Sequence, residues 1–397
     1  MKPLARRTDA LSQSDIRAIT KMVNAVQGIN LGQGICDLPT PEPIKQGAHR
    51  AIADDRSIYT HYAGIHTLRT ALLQKAQSYN RIPATSADEV MVSVGSTGAF
   101  VATIFALLEP GDEVILFEPF YGYHRNLLQV MDVQLRYVST AAPDWAVDFD
   151  ALEQAVTPRT KALIVNTPNN PSGKVWTRAE LERLLALMQE HDLFAITDEI
   201  YEYMLYDGHA HVSLASLPGA YERTVTLSGF SKTYNMTGWR LGYAVAPPPI
   251  IDKMGLLNDL FYICAPAPLQ HGVAEAFGMA DAYYDEMATA YTAKRTLMCE
   301  TLEQIGFAVP WPQGAYYVLA NFEPLCRTHP GFDDARTACE MLVQKAGVAT
   351  VPGHSFFETP ERGRYYLRFC FAKEMPVLEQ ACRQLLDAFG RVHDQTK

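Results

Sequence analysis

Six strand-like apolar runs recur between residues 89 and 245, with helical patterns between several of them. The runs are Glu89–Val94, Glu113–Phe117, Ala162–Val165, Phe194–Thr197, Thr224–Leu227 and Leu241–Val245. Gly98–Leu108 is apolar and ends at Glu109-Pro110-Gly111, a helix stop signal. Thr177 and Glu180 form a capping box ahead of Leu181, Leu184, Leu185 and Met188, which share one helical face. This alternation predicts an α/β domain around a largely parallel sheet.

Ligands of such sheets bind outside the carboxyl ends of the strands. Polar or Gly-rich segments follow five of the runs: Gly95-Ser96-Thr97-Gly98, Pro119-Phe120-Tyr121, Asn169-Asn170-Pro171-Ser172-Gly173, Asp198-Glu199-Ile200-Tyr201 and Ser228-Gly229-Phe230-Ser231-Lys232. In parallel strands these loops converge on one edge. That edge is the expected site.

The chain has 397 residues, too many for one ordinary core, so two domains are expected. Beyond about residue 290 the pattern changes. Helical stretches at Ala293–Ile305 and Ala335–Ala346 flank strand-like pieces at Ala315–Leu319 and Tyr365–Phe371, which predicts a smaller α+β domain. The first 45 or so residues are expected to pack against it or to cross the site.

A net charge of −10 with no basic stripe argues against a nucleic-acid binder. Lys2, Arg6 and Arg7 are followed by no apolar core of a signal peptide, and Ala99–Leu108 is too short to span a bilayer. The seven cysteines are scattered and form no CxxC pair, so reduced thiols, a cytoplasmic location and no metal site are expected.

Lys232 follows an apolar strand among Gly229, Ser231 and Thr233, where a chain can approach a ligand closely. A lysine withdrawn from water has a lowered pKa and can form a Schiff base. Eight residues on, Arg240 offers a planar fork suited to a phosphate. Ser231 can add a hydroxyl, and Gly95-Ser96-Thr97-Gly98 can add N–H groups at a helix N-terminus. Each feature has a bland reading: a surface lysine, a structural arginine, a turn. Their joint occurrence favours a site.

The segment Ser-Gly-Phe-Ser-Lys-Thr-Tyr-Asn-Met-Thr-Gly-Trp-Arg-Leu-Gly-Tyr (228–243) resembles the lysine signature of the class I/II aminotransferases, pyridoxal-phosphate (PLP) enzymes of fold type I. The resemblance extends over nearly the whole chain. It implies a large domain at 46–290 and a small one made of 1–45 and 291–397. It implies Lys232 as the covalent anchor of pyridoxal 5'-phosphate, Asp198 against the pyridine nitrogen, and Asn170 and Tyr201 on the phenolic oxygen. Tyr121 would stack on the ring. Gly95, Ser96, Thr97, Ser231 and Arg240 would surround the phosphate, and Tyr59 would reach the phosphate of a neighbouring subunit in a homodimer. Arg368 would grip the substrate α-carboxylate with Gly34 nearby.

The implied reaction moves an amino group from an amino acid to a 2-oxo acid, with the Lys232 amine as general base and acid. A β-lyase of the cysteine-conjugate type is the rival on the same scaffold. The segments expected around the site carry Tyr59, Tyr62, Phe120, Tyr121, Tyr123, Tyr262 and Phe356, and show no second cation beside Arg368. The sequence therefore favours a large neutral or aromatic donor. Departures from the family pattern fall near the substrate: Cys36 stands where proline is frequent, and Phe357 where a second glycine is frequent. Gly229 stands where some relatives have serine.

Overall fold

In the computed structural model, residues 6–8 and 15–390 are described. Residues 1–5, 9–14 and 391–397, which include Lys2, lie outside them.

Eight strands make the main sheet: β1 (Val90–Val94), β2 (Glu113–Glu118), β3 (Gln134–Ala141), β4 (Ala146–Val147), β5 (Thr160–Asn166), β6 (Phe194–Asp198), β7 (Thr224–Gly229) and β8 (Leu241–Val245). Their spatial order is β1-β8-β7-β6-β5-β2-β3-β4. The ladders β3-β2, β2-β5, β5-β6 and β6-β7 are parallel. β8 runs antiparallel between β1 and β7, so β1 points the same way as the parallel set. The carboxyl ends of β1, β2, β5, β6 and β7 therefore share one edge, and β8 starts there.

Helices α1 (His66–Ser78), α2 (Gly95–Leu107), α3 (Gly122–Val130) and α4 (Arg178–Glu190) surround this sheet. Side chains alternate across a strand. Ala162 and Ile164 of β5 pack with Ile104 of α2 and Leu128 of α3, while Leu163 and Val165 face Leu181, Leu184 and Met188 of α4. The capping box of α4 forms as expected: the Glu180 N–H donates to Thr177 Oγ1, and Thr177 N–H donates to the Glu180 carboxylate. Gly95-Ser96-Thr97 is the first turn of α2, not a separate loop.

The C-terminal part contains α5 (Ala282–Ile305), β9 (Tyr317–Asn321), α6 (Ala335–Ala346), β10 (Val351–Pro352) and β11 (Tyr366–Cys370). β11 lies between β9 and β10 and is antiparallel to both. α5 begins earlier than the expected Ala293, and β9 is displaced two residues from the expected run. α6 has the expected bounds because two local signals set them. The Asp334 carboxylate accepts from the N–H groups of Arg336 and Thr337, and Gly347 takes a left-handed φ of 65° at the far end. One core joins Met298 and Leu302 of α5, Val318 of β9, Leu342 of α6 and Phe369 of β11 to Val23 and Leu31 of the N-terminal segment. Ile29 and Asn30 pair in parallel with Val348 and Ala349. From there the N-terminal segment runs to the sheet edge at Gly34.

Candidate active site

Asp198 is the last residue of β6 and is buried. Its Oδ2 lies 3.0 Å from His124 Nε2 on α3, and its Oδ1 accepts from the Ile200 N–H at 3.3 Å. Asn166, the last residue of β5, donates from Nδ2 to the Asp198 carbonyl at 3.0 Å, and its Oδ1 accepts from the Asn170 N–H at 2.8 Å. Neighbouring strand ends are thus tied together, which fixes both loops that follow.

Arg368, in the middle of β11, is buried. It donates from Nη1 to Asn170 Oδ1 at 2.8 Å and from Nη2 to the Gly32 carbonyl at 2.6 Å. Its guanidinium lies 4.4 Å from the Tyr317 ring centre and 5.1 Å from that of Phe356. Its Nε is buried with no protein partner. Tyr317 in turn sits 3.2 Å, hydroxyl to hydroxyl, from Tyr201. Burial pushes the Tyr201 hydroxyl well above its ordinary pKa, and burial does the same to Tyr121.

Lys232 follows β7 after a short turn. Its Nζ donates to the Gly34 carbonyl at 2.9 Å. Withdrawal from water lowers its pKa from 10.5 to about 8, and the Arg368 charge adds to that shift; Cys370, Cys36 and Asp198 oppose it.

These groups line one cavity of about 170 Å³. Gly34, Ser96, Thr97, Tyr121, Asn170, Asp198, Tyr201, Lys232 and Arg368 all border it, as the sequence reading expected. Four expected residues do not. Gly95 is buried at the start of α2, with φ +70°, and a Cβ there would lie 2.5 Å from Arg240 Nη2. Arg240 therefore sits directly against the helix start instead of in the cavity wall. Ser231 is buried beside Lys232. Tyr59 is 76% exposed and borders a separate depression with Tyr262 and Cys264.

Three bordering residues with polar groups were not anticipated: His124, Asn166 and Tyr317. His124 had a readable signal, since it lies three residues after Tyr121 where a helix starts, and such residues share a face. Tyr317 opens a strand beside Tyr316 and is indistinguishable in sequence from core. Of the seven aromatics expected around the substrate, Tyr121 and Tyr123 border the cavity. Phe356 supports Arg368 from behind, Phe120 packs on Tyr137, Tyr62 packs against Gly255, and Tyr262 accompanies Tyr59.

A buried lysine amine, a carboxylate held by a histidine and an arginine fork facing one small cavity fit chemistry on an amino acid. Comparison with known proteins decides the family. The family described as aminotransferase class I and II matches residues 26–385. The chain belongs to the class I and II aminotransferases. Its relatives include an aromatic-amino-acid aminotransferase of Thermococcus litoralis, 33% identical over 95% of this chain and 96% of that one. An aspartate aminotransferase of Pyrococcus abyssi is 34% identical over 95% and 96% of the two chains. The crystal structure of YbdL from Escherichia coli, described with a methionine aminotransferase function, superposes with a TM-score of 0.92 at 28% identity, covering 98% of this chain and 100% of that one. The fold is that of the fold type I enzymes.

Aminotransferases of this class use pyridoxal 5'-phosphate, and the residues of this aminotransferase fit it. Lys232 presents an amine with a lowered pKa and Asp198 a carboxylate on the same cavity, groups whose chemistry suits an aldehyde and a protonated ring nitrogen. The Gly95 N–H of α2 donates to the Arg240 carbonyl at 3.0 Å, and the helix has no side-chain cap, which leaves the N–H groups after Gly95 for an anion, with the Arg240 guanidinium against Gly95. No helix among the described residues is long and apolar enough to cross a membrane.

Proposed function

We propose that this aminotransferase acts on a large neutral or aromatic amino acid and a 2-oxo acid, with Lys232, Asp198 and Tyr201 at the reacting atoms. The observation that carries the proposal is the composition of the cavity wall. Among the described residues, Lys232 and Arg368 are the lysine and arginine side chains that border it, and Phe100, Tyr121, Tyr123, Leu127, Ile200 and Leu227 supply apolar surface. Lys232 is engaged in the chemistry and Arg368 is committed to the α-carboxylate. An acidic substrate side chain would need a further cation. An apolar side chain gains about 25 cal/mol per Å² that it buries. The aromatic-amino-acid and methionine activities of the Thermococcus and Escherichia proteins accord with this reading, the aspartate activity of the Pyrococcus protein does not, and the wall chemistry supports the former.

The roles follow from position. Pyridoxal phosphate supplies an electron sink for charge released at the substrate Cα. Asp198, held by His124, would hold a positive ring nitrogen. Asn170 and Tyr201 would hold the phenolic oxygen, and Tyr121 would support the ring. The first turn of α2, Ser231 and Arg240 would receive the phosphate. Arg368 fixes the substrate carboxylate beside Gly34, which orients the Cα proton. Lys232 Nζ takes that proton as free amine, a form that burial makes accessible from about pH 8 upward instead of near 10.5.

The exposed side chains Ile58, Tyr59, Leu256, Leu260, Phe261 and Tyr262 supply apolar surface that a monomer seldom leaves open. On this reading the working unit is a homodimer, with Tyr59 completing the partner's phosphate site. The chain divides into a cofactor domain at 46–290 and a smaller domain of 1–45 with 291–397. A cytoplasmic location accords with seven free cysteines.

The test is kcat/KM for phenylalanine, methionine, glutamine and aspartate with one common acceptor. Phenylalanine or methionine should lead. A tenfold lead for aspartate, about 1.4 kcal/mol in the transition state, would overturn the pocket reading. Pyruvate and ammonia formed from a cysteine conjugate without an acceptor would reveal the lyase instead. Borohydride reduction and peptide mapping should place the pyridoxyl group on Lys232.

A further inference from the structure

Beneath the cavity, on the far side of the loop after β6, lies a second set of buried charges. Residues 198–202 present two faces. Asp198 and Tyr201 border the cavity. Glu199 and Glu202 are fully or almost fully buried on the reverse side. Glu202 is paired with Lys75 of α1 at 2.5 Å. Its carboxylate also accepts from Asn80 Nδ2 at 2.7 Å and Ser228 Oγ at 2.8 Å, and its carbonyl accepts from the Tyr79 hydroxyl at 2.7 Å. Tyr243 of β8 places its hydroxyl 3.0 Å from Lys75 Nζ and 3.3 Å from Glu202 Oε1. Glu199 lies 2.8 Å from His211 Nε2 and accepts from Ser213 Oγ at 2.8 Å and Thr197 Oγ1 at 2.9 Å.

The ligand atoms of Glu199, Glu202 and His211 lie within 4.8 Å of one another, a spacing a metal ion could use. The carboxylates are already met by protein donors, and the Lys75 ammonium occupies the cation's role. Burial works against ionisation of Glu202, yet Lys75, His211 and Asn80 outweigh it and hold its carboxyl below the usual range. A buried ion pair adds little net stability compared with apolar packing of the same shape, although breaking one partner is costly. What such a pair does supply is direction: it fixes two backbones relative to one another. Here the backbones are α1 and the turn that carries Asp198 and Tyr201.

We propose that Lys75, Glu202 and Glu199 are positioning residues, anchoring the 198–202 turn from behind so that Asp198 and Tyr201 meet the cofactor at fixed points. The assignment rests on the reading that Asp198 and Tyr201 face the cofactor. Neither glutamate touches the cavity, so each acts through its neighbour in the chain.

The experiment compares Glu202→Gln, the charge-neutral double variant Lys75→Met/Glu202→Gln, and Tyr243→Phe, which removes one hydroxyl and should fold. Leu184→Ala, in the apolar core under α4 and outside the charged cluster, reports plain destabilisation. Asp198→Ala reports loss of the cofactor contact itself. Three quantities are read: the affinity of the apoprotein for pyridoxal phosphate, the pH midpoint of the visible absorption of the bound cofactor, and the thermal midpoint of the apoprotein.

Glu202→Gln should weaken cofactor binding roughly 10-fold, the scale at which outer partners usually act. It should also move the absorption midpoint by about half a pH unit or more. The double variant should recover thermal stability without recovering either cofactor property, and Tyr243→Phe should show a smaller shift in the same direction. Leu184→Ala should lower the thermal midpoint alone. The proposal fails if the folded variants keep wild-type affinity and absorption midpoint, or if the double variant restores both together with stability. If Asp198→Ala also leaves the absorption unchanged, the reading of the site itself is wrong; if it alters the absorption while Glu202→Gln does not, only the positioning role falls.

Discussion

An amine with a pKa of about 8 is half free base at that pH, and Lys232 reaches this value mainly by losing water. Below that pH the ammonium dominates; above it the amine is available for attack. Acylation of the apoprotein, mapped by mass spectrometry across a pH series, should therefore label Lys232 with a midpoint near 8, whereas exposed lysines follow the ordinary 10.5. A midpoint near 10.5 would show that the cavity does not desolvate it. Stability responds in the matching sense. Between the two values the unfolded chain keeps a proton that the folded apoprotein has released, so this group makes the apoprotein more stable as pH rises through that window. Below about 8 both states are protonated and the penalty is constant. His124 belongs to the same scale. Its Nε2 lies 3.0 Å from the Asp198 carboxylate, so it can hold that carboxylate's angle without contacting substrate.

Among the elements, the N-terminal segment is closely packed at Gly34. A Cβ on Gly34 would fall 1.7 Å from the Tyr317 hydroxyl, on a ring that supports Arg368 at 4.4 Å. Gly34→Ala should therefore tilt Tyr317 and loosen the arginine, raising KM for every amino donor roughly 10-fold while leaving the cofactor absorption nearly intact. A loss of kcat at unchanged KM would place the glycine elsewhere in the mechanism. The strand ends that hold the site were legible because each apolar run stops at a polar or glycine residue. α4 and α6 were legible through their caps. The antiparallel setting of β8 was not, since a buried strand reads alike in either direction. The destinations of the aromatics were not legible either. Phe120 and Tyr121 are adjacent, yet one packs on Tyr137 and the other borders the cavity, because successive side chains take opposite sides and only tertiary packing says which side is which. Arg240 was read as a phosphate fork from its planar donors and the resemblance of 228–243; the structure sets it against Gly95, where backbone geometry and not side-chain pattern brings the two together.

At the scale of the molecule, the proposed homodimer makes a test that no single site residue can supply. Mixing a Tyr59→Ala protein with a Lys232→Ala protein should create hybrid sites with both residues intact, and activity above that of either parent should appear as subunits exchange. Exchange without any gain would leave each subunit self-sufficient. Within one subunit, Arg368 already gathers three distant parts of the chain: β11 carries it, Gly32 of the N-terminal segment accepts from it, and Asn170 after β5 accepts from it. Its Nε–H is among the donors that these partners leave over, and it is buried and unmatched. A simple amine could still reach Lys232, but it would enclose that N–H with nothing to accept its hydrogen bond, and a site built around such a group rejects the analogue that lacks the acceptor far more strongly than apolar walls reject a misfit. On the proposed role of Arg368, an amino acid would thus be told from the same molecule stripped of its carboxylate before any bond to the nitrogen changes.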